Sequence, residues 1–152
     1  MKRIVLIVTV LTLALGSTAA AETTTFGAGI IIGEPTGVGI KTHLTSGNAL
    51  AFGLAWSLDE DNELHVQGDY LYHNYDLITV EEGEMPLYFG IGGRIKINEH
   101  KDDNVGVRFP VGLDYIFANA PFDIFLEIVP ILDLAPDTDF DLNGAIGGRY
   151  WF

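Results

Sequence analysis

Cysteine is absent from the 152 residues, so no disulfide framework can form and zinc sites built on thiolates are excluded. Basic side chains are scarce: eight Lys and Arg stand against 21 Asp and Glu, a formal charge of −13. A phosphate backbone repels so acidic a chain, which sets nucleic acid aside as a partner. Also missing is the three-to-four residue apolar spacing of an amphipathic helix. What is abundant is apolar: 48% of residues are hydrophobic, 11% are aromatic, and 18 are Gly. A chain of this composition buries enough surface to offset its ordering entropy, so disorder is excluded. The length corresponds to one domain.

Lys2 and Arg3 precede an apolar run from Ile4 to Leu15, interrupted by Thr9 and Thr12, and then come Gly16, Ser17, Thr18 and three alanines. This is the order of a secretory signal peptide, with Ala19 and Ala21 in the small-residue positions before a cut after Ala21. The run is too short for a transmembrane anchor, which needs about 20 apolar residues. With no Cys after the small residues, a lipid-anchored lipoprotein is excluded. The expected domains are therefore a leader at 1–21 and a single unit at 22–152. Export removes two basic residues and no acid, taking the charge from −13 to −15.

Seven turn-like clusters punctuate the remainder: Gly33 to Gly37, Ser46 to Asn48, Asp59 to Asn62, Glu81 to Glu84, Asn98 to Asn104, Asn119 to Pro121 and Ala135 to Asp137. They delimit eight segments rich in Val, Ile, Phe, Tyr and Gly, which read as strands. From Val105 to Phe117, odd positions are apolar while even positions hold Gly106, Arg108, Pro110, Gly112, Asp114 and Ile116. Leu87 to Ile97, Leu50 to Leu58 and Leu64 to His73 alternate in the same way. A sandwich in water would cover its polar face with Lys, Glu, Thr and Ser. Here that face is Gly and Ala with isolated charges, as in a cramped interior, and the apolar face is long and aromatic. Apolar-faced antiparallel strands in lipid must close, because an open edge leaves backbone groups unpaired. The fold class expected is all-β: an eight-stranded antiparallel up-and-down transmembrane β-barrel in the cell outer membrane of a Gram-negative-type envelope, with lipid as its surroundings. With both termini in the periplasm, Phe26, Tyr70, Tyr72, Tyr115, Phe117, Phe122, Tyr150 and Phe152 fall toward the periplasmic rim, and Trp56 toward the outer one. Rings in such a belt suit a headgroup interface.

The closing Arg149-Tyr150-Trp151-Phe152, with Tyr150 and Phe152 two apart, resembles the carboxyl-terminal signal read by the barrel-assembly machinery. In architecture the chain resembles small barrels of the OmpA and OmpX type. Gly33-Glu34-Pro35-Thr36-Gly37, Phe52-Gly53-Leu54-Ala55-Trp56, Asp69-Tyr70-Leu71 and the run from Ala120 to Asp141 are similar to a family of small spirochaete-type outer-membrane barrels. That resemblance extends from about Gly27 to Phe152. It implies a surface protein of poorly defined activity, some members of the family binding host complement regulators.

By parity the lumen holds a polar network of Lys41, Asp69, Arg94, Arg108, Asp114, Glu127 and Arg149, with His43, His65, His73, Lys96 and Asp123 beside it. Eight strands enclose only enough room for side chains, so these charges must pair. Counting from the periplasmic rim sets Arg149 level with Asp114 and Glu127, and Lys41 level with Asp69. Arg94, Lys96 and Arg108 lie higher. The arrangement reads as a packed polar plug, the other reading being a porin-like passive or gated channel. Ile91-Gly92-Gly93-Arg94 recurs as Ile146-Gly147-Gly148-Arg149, where glycine leaves room for an arginine head or relieves curvature. It lacks the spacing of a phosphate-cradling loop.

Ser57, His65 and Asp69 share inward parity, yet the His-x-Ser pair of lipid A deacylase barrels is missing. No catalytic group and no cofactor are expected, which leaves a lipid-modifying enzyme as the weakest reading. The four His are too dispersed for a metal site. Asp137-x-Asp139-x-Asp141 has the first half of a calcium-loop spacing without its Gly and Glu. The outward loops, Gly33 to Gly37, Asp59 to Glu63, Asn98 to Asn104 and Asp133 to Asp141, carry many acids against Lys101 alone. An acidic rim steers basic partners toward it. The role expected is that of a monomeric outer-membrane barrel, structural or interacting at the surface with a host or extracellular protein.

Overall fold

Segments that alternate between large apolar and small or charged side chains form nine antiparallel strands: β1 (Phe26–Gly33), β2 (Thr36–His43), β3 (Asn48–Ser57), β4 (Glu63–Asn74), β5 (Leu87–Ile97), β6 (Asn104–Arg108), β7 (Val111–Ile116), β8 (Phe122–Ala135) and β9 (Asp139–Trp151). The computed structural model describes residues 26–34, 36–57 and 63–152. The leader at 1–21, Pro35, and the acids Asp59, Glu60 and Asp61 of the third turn cluster lie outside the described residues.

Apart from β6 and β7, which lie end to end, each strand pairs with the next, and β9 returns to β1, with Trp151 opposite Gly27 and Ala145 opposite Gly33. The ring closes and leaves no sheet edge unpaired. The sequence reads as one strand from Val105 to Phe117, whereas the structure divides it at Phe109 and Pro110. Proline has no N–H to give to a ladder. Both halves nonetheless pair with β5 on one side and β8 on the other, so nine elements build an eight-stave barrel. Across the break, the Gly90 N–H donates to the Pro110 carbonyl at 2.9 Å and the Phe109 N–H to the Pro130 carbonyl at 2.9 Å.

A second departure concerns the connection expected from Asp133 to Asp141. β8 runs on to Ala135 and β9 begins at Asp139; their ladder carries Asp133 opposite Asp139 and Ile131 opposite Asp141. Strand alternation continues through both acids, turning Asp133 and Asp141 inward instead of leaving them in a loop.

Outward positions are large and exposed: Ile30, Phe52, Ile91, Leu126 and Ile146 are among them. Inward positions are glycine, alanine and charge, with Ala49, Leu71 and Tyr88 packed together as a small apolar cluster. The belt aromatics lie on the outer face toward the end that carries Phe26 and Phe152, called here the terminal end. Their rings meet in series: Phe26 with Phe152 at 6.2 Å, Phe152 with Tyr150 at 4.9 Å, Tyr150 with Phe122 at 5.2 Å, and Tyr115 with Phe117 at 4.9 Å. The connection after β4 also lies at this end and is pinned by paired hydrogen bonds between Glu84 and Ile116 at 3.0 and 2.8 Å.

Both Ile-Gly-Gly-Arg copies use their first glycine to admit a neighbouring strand. A Cβ on Gly92 would stand 2.0 Å from Asp69 Oδ1 and 2.2 Å from the Gly68 carbonyl oxygen; one on Gly147 would meet the Phe125 ring at 2.4 Å. The second glycines face outward, where the nearest atoms lie at 3.7 Å for Gly93 and 3.4 Å for Gly148. Gly92→Ala should therefore destabilise the barrel by about 1–3 kcal/mol, the usual cost of overpacking. Gly93→Ala should stay within about 0.5 kcal/mol of the parent. Urea midpoints in detergent measure both, and equal midpoints would refute the close-approach explanation.

Candidate functional site

Lumenal charge collects in three tiers. In the tier nearest the terminal end, Asp114 on β7 is the shared acceptor: Lys41 Nζ donates to its Oδ2 at 2.5 Å and Arg149 Nη2 to its Oδ1 at 2.5 Å. Arg149 Nε also donates to Asp123 at 3.0 Å, and the Trp151 indole N–H reaches the same carboxylate at 2.7 Å. Aromatic faces pack against the cations, with Phe125 4.3 Å from the Arg149 guanidinium and Tyr88 4.8 Å from the Lys41 ammonium. Such contacts recover part of the solvation the charges lose. His73 Nε2 stands 3.5 Å from Asp114, and the His43 ring lies 5.3 Å from His73 and 5.1 Å from Trp151. Below them, in the loop after β4, burial and then the nearby Glu84 push the Tyr75 phenol up to about 12.

The middle tier is built on Arg108 of β6. It donates to Gln67 and, at 3.3 Å, to Glu127 Oε1, while its Nε lies 2.8 Å from Asp69 Oδ1. The Tyr88 hydroxyl donates to the other Glu127 oxygen at 2.7 Å. In the upper tier, Arg94 of β5 grips Asp133 with two nitrogens, at 3.1 and 2.8 Å, and donates to Asp141 at 3.0 Å. Lys96 Nζ stands 3.6 Å from Asp141. Lys41, Arg94, Arg108, Asp114 and Asp123 are all at least 98% buried, a placement tolerated only where opposite charges are held together by hydrogen bonds.

The spaces on either side of the middle tier measure about 20 and 40 Å³, room for one or a few water molecules. Above the upper tier the lumen widens to an open vestibule of about 640 Å³ at the far end, its described lining including Glu34, Glu63, His65, Lys96, Asp141 and Asn143.

Rim counting sets Lys41 level with Asp69 and Arg149 level with Asp114 and Glu127. The structure does bring Arg149 to Asp114, but it brings Lys41 to Asp114 as well and gives Asp69 and Glu127 to Arg108. Barrel strands tilt, so equal counts from a rim are not equal heights across the lumen. The partners that sequence reasoning missed are Asp133 and Asp141, hidden by the loop assignment, and the polar ends of Gln67, Tyr88 and Trp151. Extending the alternation of β8 and β9 would have found the two acids.

His65 Nε2 faces Glu63 Oε2 at 3.3 Å and Asp69 is held by Arg108 at 2.8 Å, so the structure gives Asp69 to Arg108 and sets Glu63 beside His65. In the Asp137, Asp139, Asp141 triplet, Asp141 is engaged by Arg94 and Asp139 accepts the Phe140 N–H at 2.9 Å. Among the described residues, no group of three or more His, Asp or Glu converges as metal ligands would.

A family model described as "Protein of unknown function (DUF3996)" matches residues 18–136. Among solved structures, the N-terminal β-barrel domain of Pseudomonas aeruginosa OprF is similar, with a TM-score of 0.63 and 17% identity, the match covering 85% of this chain and 96% of that one. No curated protein matches the sequence. The likeness establishes a fold shared with that β-barrel domain.

Removing one carboxylate from the lowest tier leaves Lys41 and Arg149 buried without their common partner. Asp114→Asn should cost about 3–5 kcal/mol, as breaking a buried pair does, whereas Asp139→Asn at the rim should cost under about 0.5 kcal/mol. Urea unfolding followed by tryptophan fluorescence would show it; a small effect at Asp114 would mean the tier does not support the fold.

Proposed function

The chain belongs to the family described as protein of unknown function (DUF3996), and for this member we propose an integral outer-membrane barrel, exported by the leader at 1–21, that presents its far-end rim to the exterior and engages basic proteins there. One observation carries the reading: the molecule is inside out, with large apolar side chains exposed around its wall and charged ones buried within. In water such a wall would expose a contiguous apolar surface far beyond that of a soluble monomer; in lipid it is satisfied.

The OprF-like fold supports this environment, and the aromatic belt and the Tyr150 and Phe152 ending fit a barrel assembled with its termini in the periplasm. Membership of the spirochaete-type group, a monomeric state and recognition by the assembly machinery belong to the same proposal. The far-end rim carries Glu34, Glu99, Asp102, Asp103, Asp137 and Asp139 against Lys101, a field that favours cationic partners and weakens with salt. The three tiers favour a plugged anchor over a channel, and the engagement of Asp69 by Arg108 disfavours a hydrolytic relay through His65.

Three measurements test this. An impermeant amine reagent should label Lys101 on intact cells; labelling only after lysis would overturn the orientation. Planar-bilayer recordings should show no discrete conductance, and reproducible steps would favour the channel. Cells displaying the protein should bind a basic protein in a salt-sensitive way. Changing Glu99, Asp102, Asp103, Asp137 and Asp139 to amides should abolish that binding, and undiminished binding would remove the surface role.

A further inference from the structure

The ring is closed over the height that its staves share, but they do not end together. At the far end β1 stops at Gly33, opposite Ala145, and the last bond from that side runs from the Glu34 N–H to the Gly144 carbonyl at 3.3 Å. Beyond this point β9 carries on through Asp139 to Asn143, paired with β8 alone among the described strands. There Leu142 stands opposite Pro130, which has no N–H to give, and Phe140 opposite Leu132. The Phe140 and Leu142 N–H groups donate instead to Asp139 Oδ1 and Asp141 Oδ1, at 2.9 Å each, and so point to the open side. In an antiparallel ladder a residue's N–H and C=O serve the same neighbour. The Phe140 and Leu142 carbonyls therefore face the open side too.

The two faces of this edge differ in chemistry. Outward, Phe140 and Leu142 are 67% and 59% exposed. Inward, the edge borders the vestibule, where Asp141 joins Glu34 and Glu63 against Lys96. Asp137 and Asp139 are exposed at the tip. An open edge is a template for one more strand. A second copy of this chain is a poor match, because joining two β9 edges sets the Asp139 and Asp141 carboxylates of the copies against one another, and facing like charges destabilise a ladder. The same acids favour a strand with Lys or Arg on its inward face.

We propose that the far-end edge of β9, from Asp139 to Asn143, captures an extended basic segment of a partner protein as an added antiparallel strand. The two partner residues opposite Phe140 and Leu142 exchange N–H and C=O bonds with them, displacing the Asp139 and Asp141 carboxylates from those N–H groups. Their apolar side chains lie on the outer face beside Phe140 and Leu142. The flanking Lys or Arg side chains turn inward, toward Asp139 and Glu34. This rests on the reading of an acidic rim that engages basic proteins, and gives that contact a place and a backbone register.

The test uses the mature chain, residues 22–152, folded in detergent and titrated calorimetrically with an acetylated, amidated Lys-Val-Lys-Val-Lys peptide. Backbone methylation of both valine amides removes the donors that face β9. Backbone methylation of two lysine amides, which point away, removes as many donors without touching the edge. The parent peptide should saturate, the valine-methylated one should bind at least about tenfold more weakly, and the lysine-methylated one should stay within about twofold. Asp139→Asn should weaken the parent peptide about threefold, the size of one exposed ion pair, and Glu-Val-Glu-Val-Glu should not bind. Absence of saturation, equal affinity of the two methylated peptides, or binding of the acidic peptide would each overturn the proposal. A dimer in sedimentation that binds no peptide would give the edge to a second copy instead. Equal affinity of the methylated peptides, with cells still binding a basic protein, would remove the added strand and keep the acidic rim. Strand pairing alongside Lys101 labelled only after lysis would keep the edge and remove its external access.

Discussion

A wall that must pair every backbone group with a neighbour can only be a closed ring, and a ring of eight staves leaves a lumen no wider than the side chains it contains. Everything inside follows from that confinement. A cation placed there cannot reach bulk water, so it must find a carboxylate on another stave. Asp114 shows how far the economy of space goes, since one carboxylate serves Lys41 and Arg149 together at 2.5 Å each. The cations are in turn wedged against Tyr88 and Phe125. Glycine is the complement of this crowding: at Gly92 and Gly147 the missing side chain is the space that Asp69 and Phe125 occupy.

Alternation made the wall readable from the amino-acid sequence. Which face of β3, β4 or β5 turns outward follows from parity, and parity does not depend on distant contacts. The lumen was readable by membership and, apart from Arg149 with Asp114, not by partnership. Lys41, Arg94, Arg108 and Arg149 are inward by parity, yet which acid each meets depends on strand tilt and on the reach of long side chains. Asp133 and Asp141 were hidden for a different reason: two acids flanking Ala-Pro-Asp look like a loop until the strands are extended past them. The break at Pro110 was equally concealed, because alternation persists on both sides of a residue that merely lacks a donor.

The two ends of the barrel express the same acidity differently. At the terminal end the lumen is sealed by rings, with His43, His73, Trp151 and Tyr88 in contact series. At the far end it opens into the vestibule, lined by Glu34, Glu63, His65, Lys96 and Asp141. The gradient from sealed to open, with the upper Arg94 tier as its floor, is what makes the far-end cavity more than a gap between loops.

The staves are not of equal length: β1 and β2 have 8 residues each, while β8 and β9 have 14 and 13. Their outward-facing residues follow suit, four along β1 from Phe26 to Ile32 against seven along β8 from Phe122 to Leu134. A cylinder cut obliquely and set in a film of uniform thickness comes to rest leaning, because only then do its short and tall flanks both stay covered. The mouth would then open at a slant, with the β8–β9 hairpin as the raised lip over which anything entering must pass.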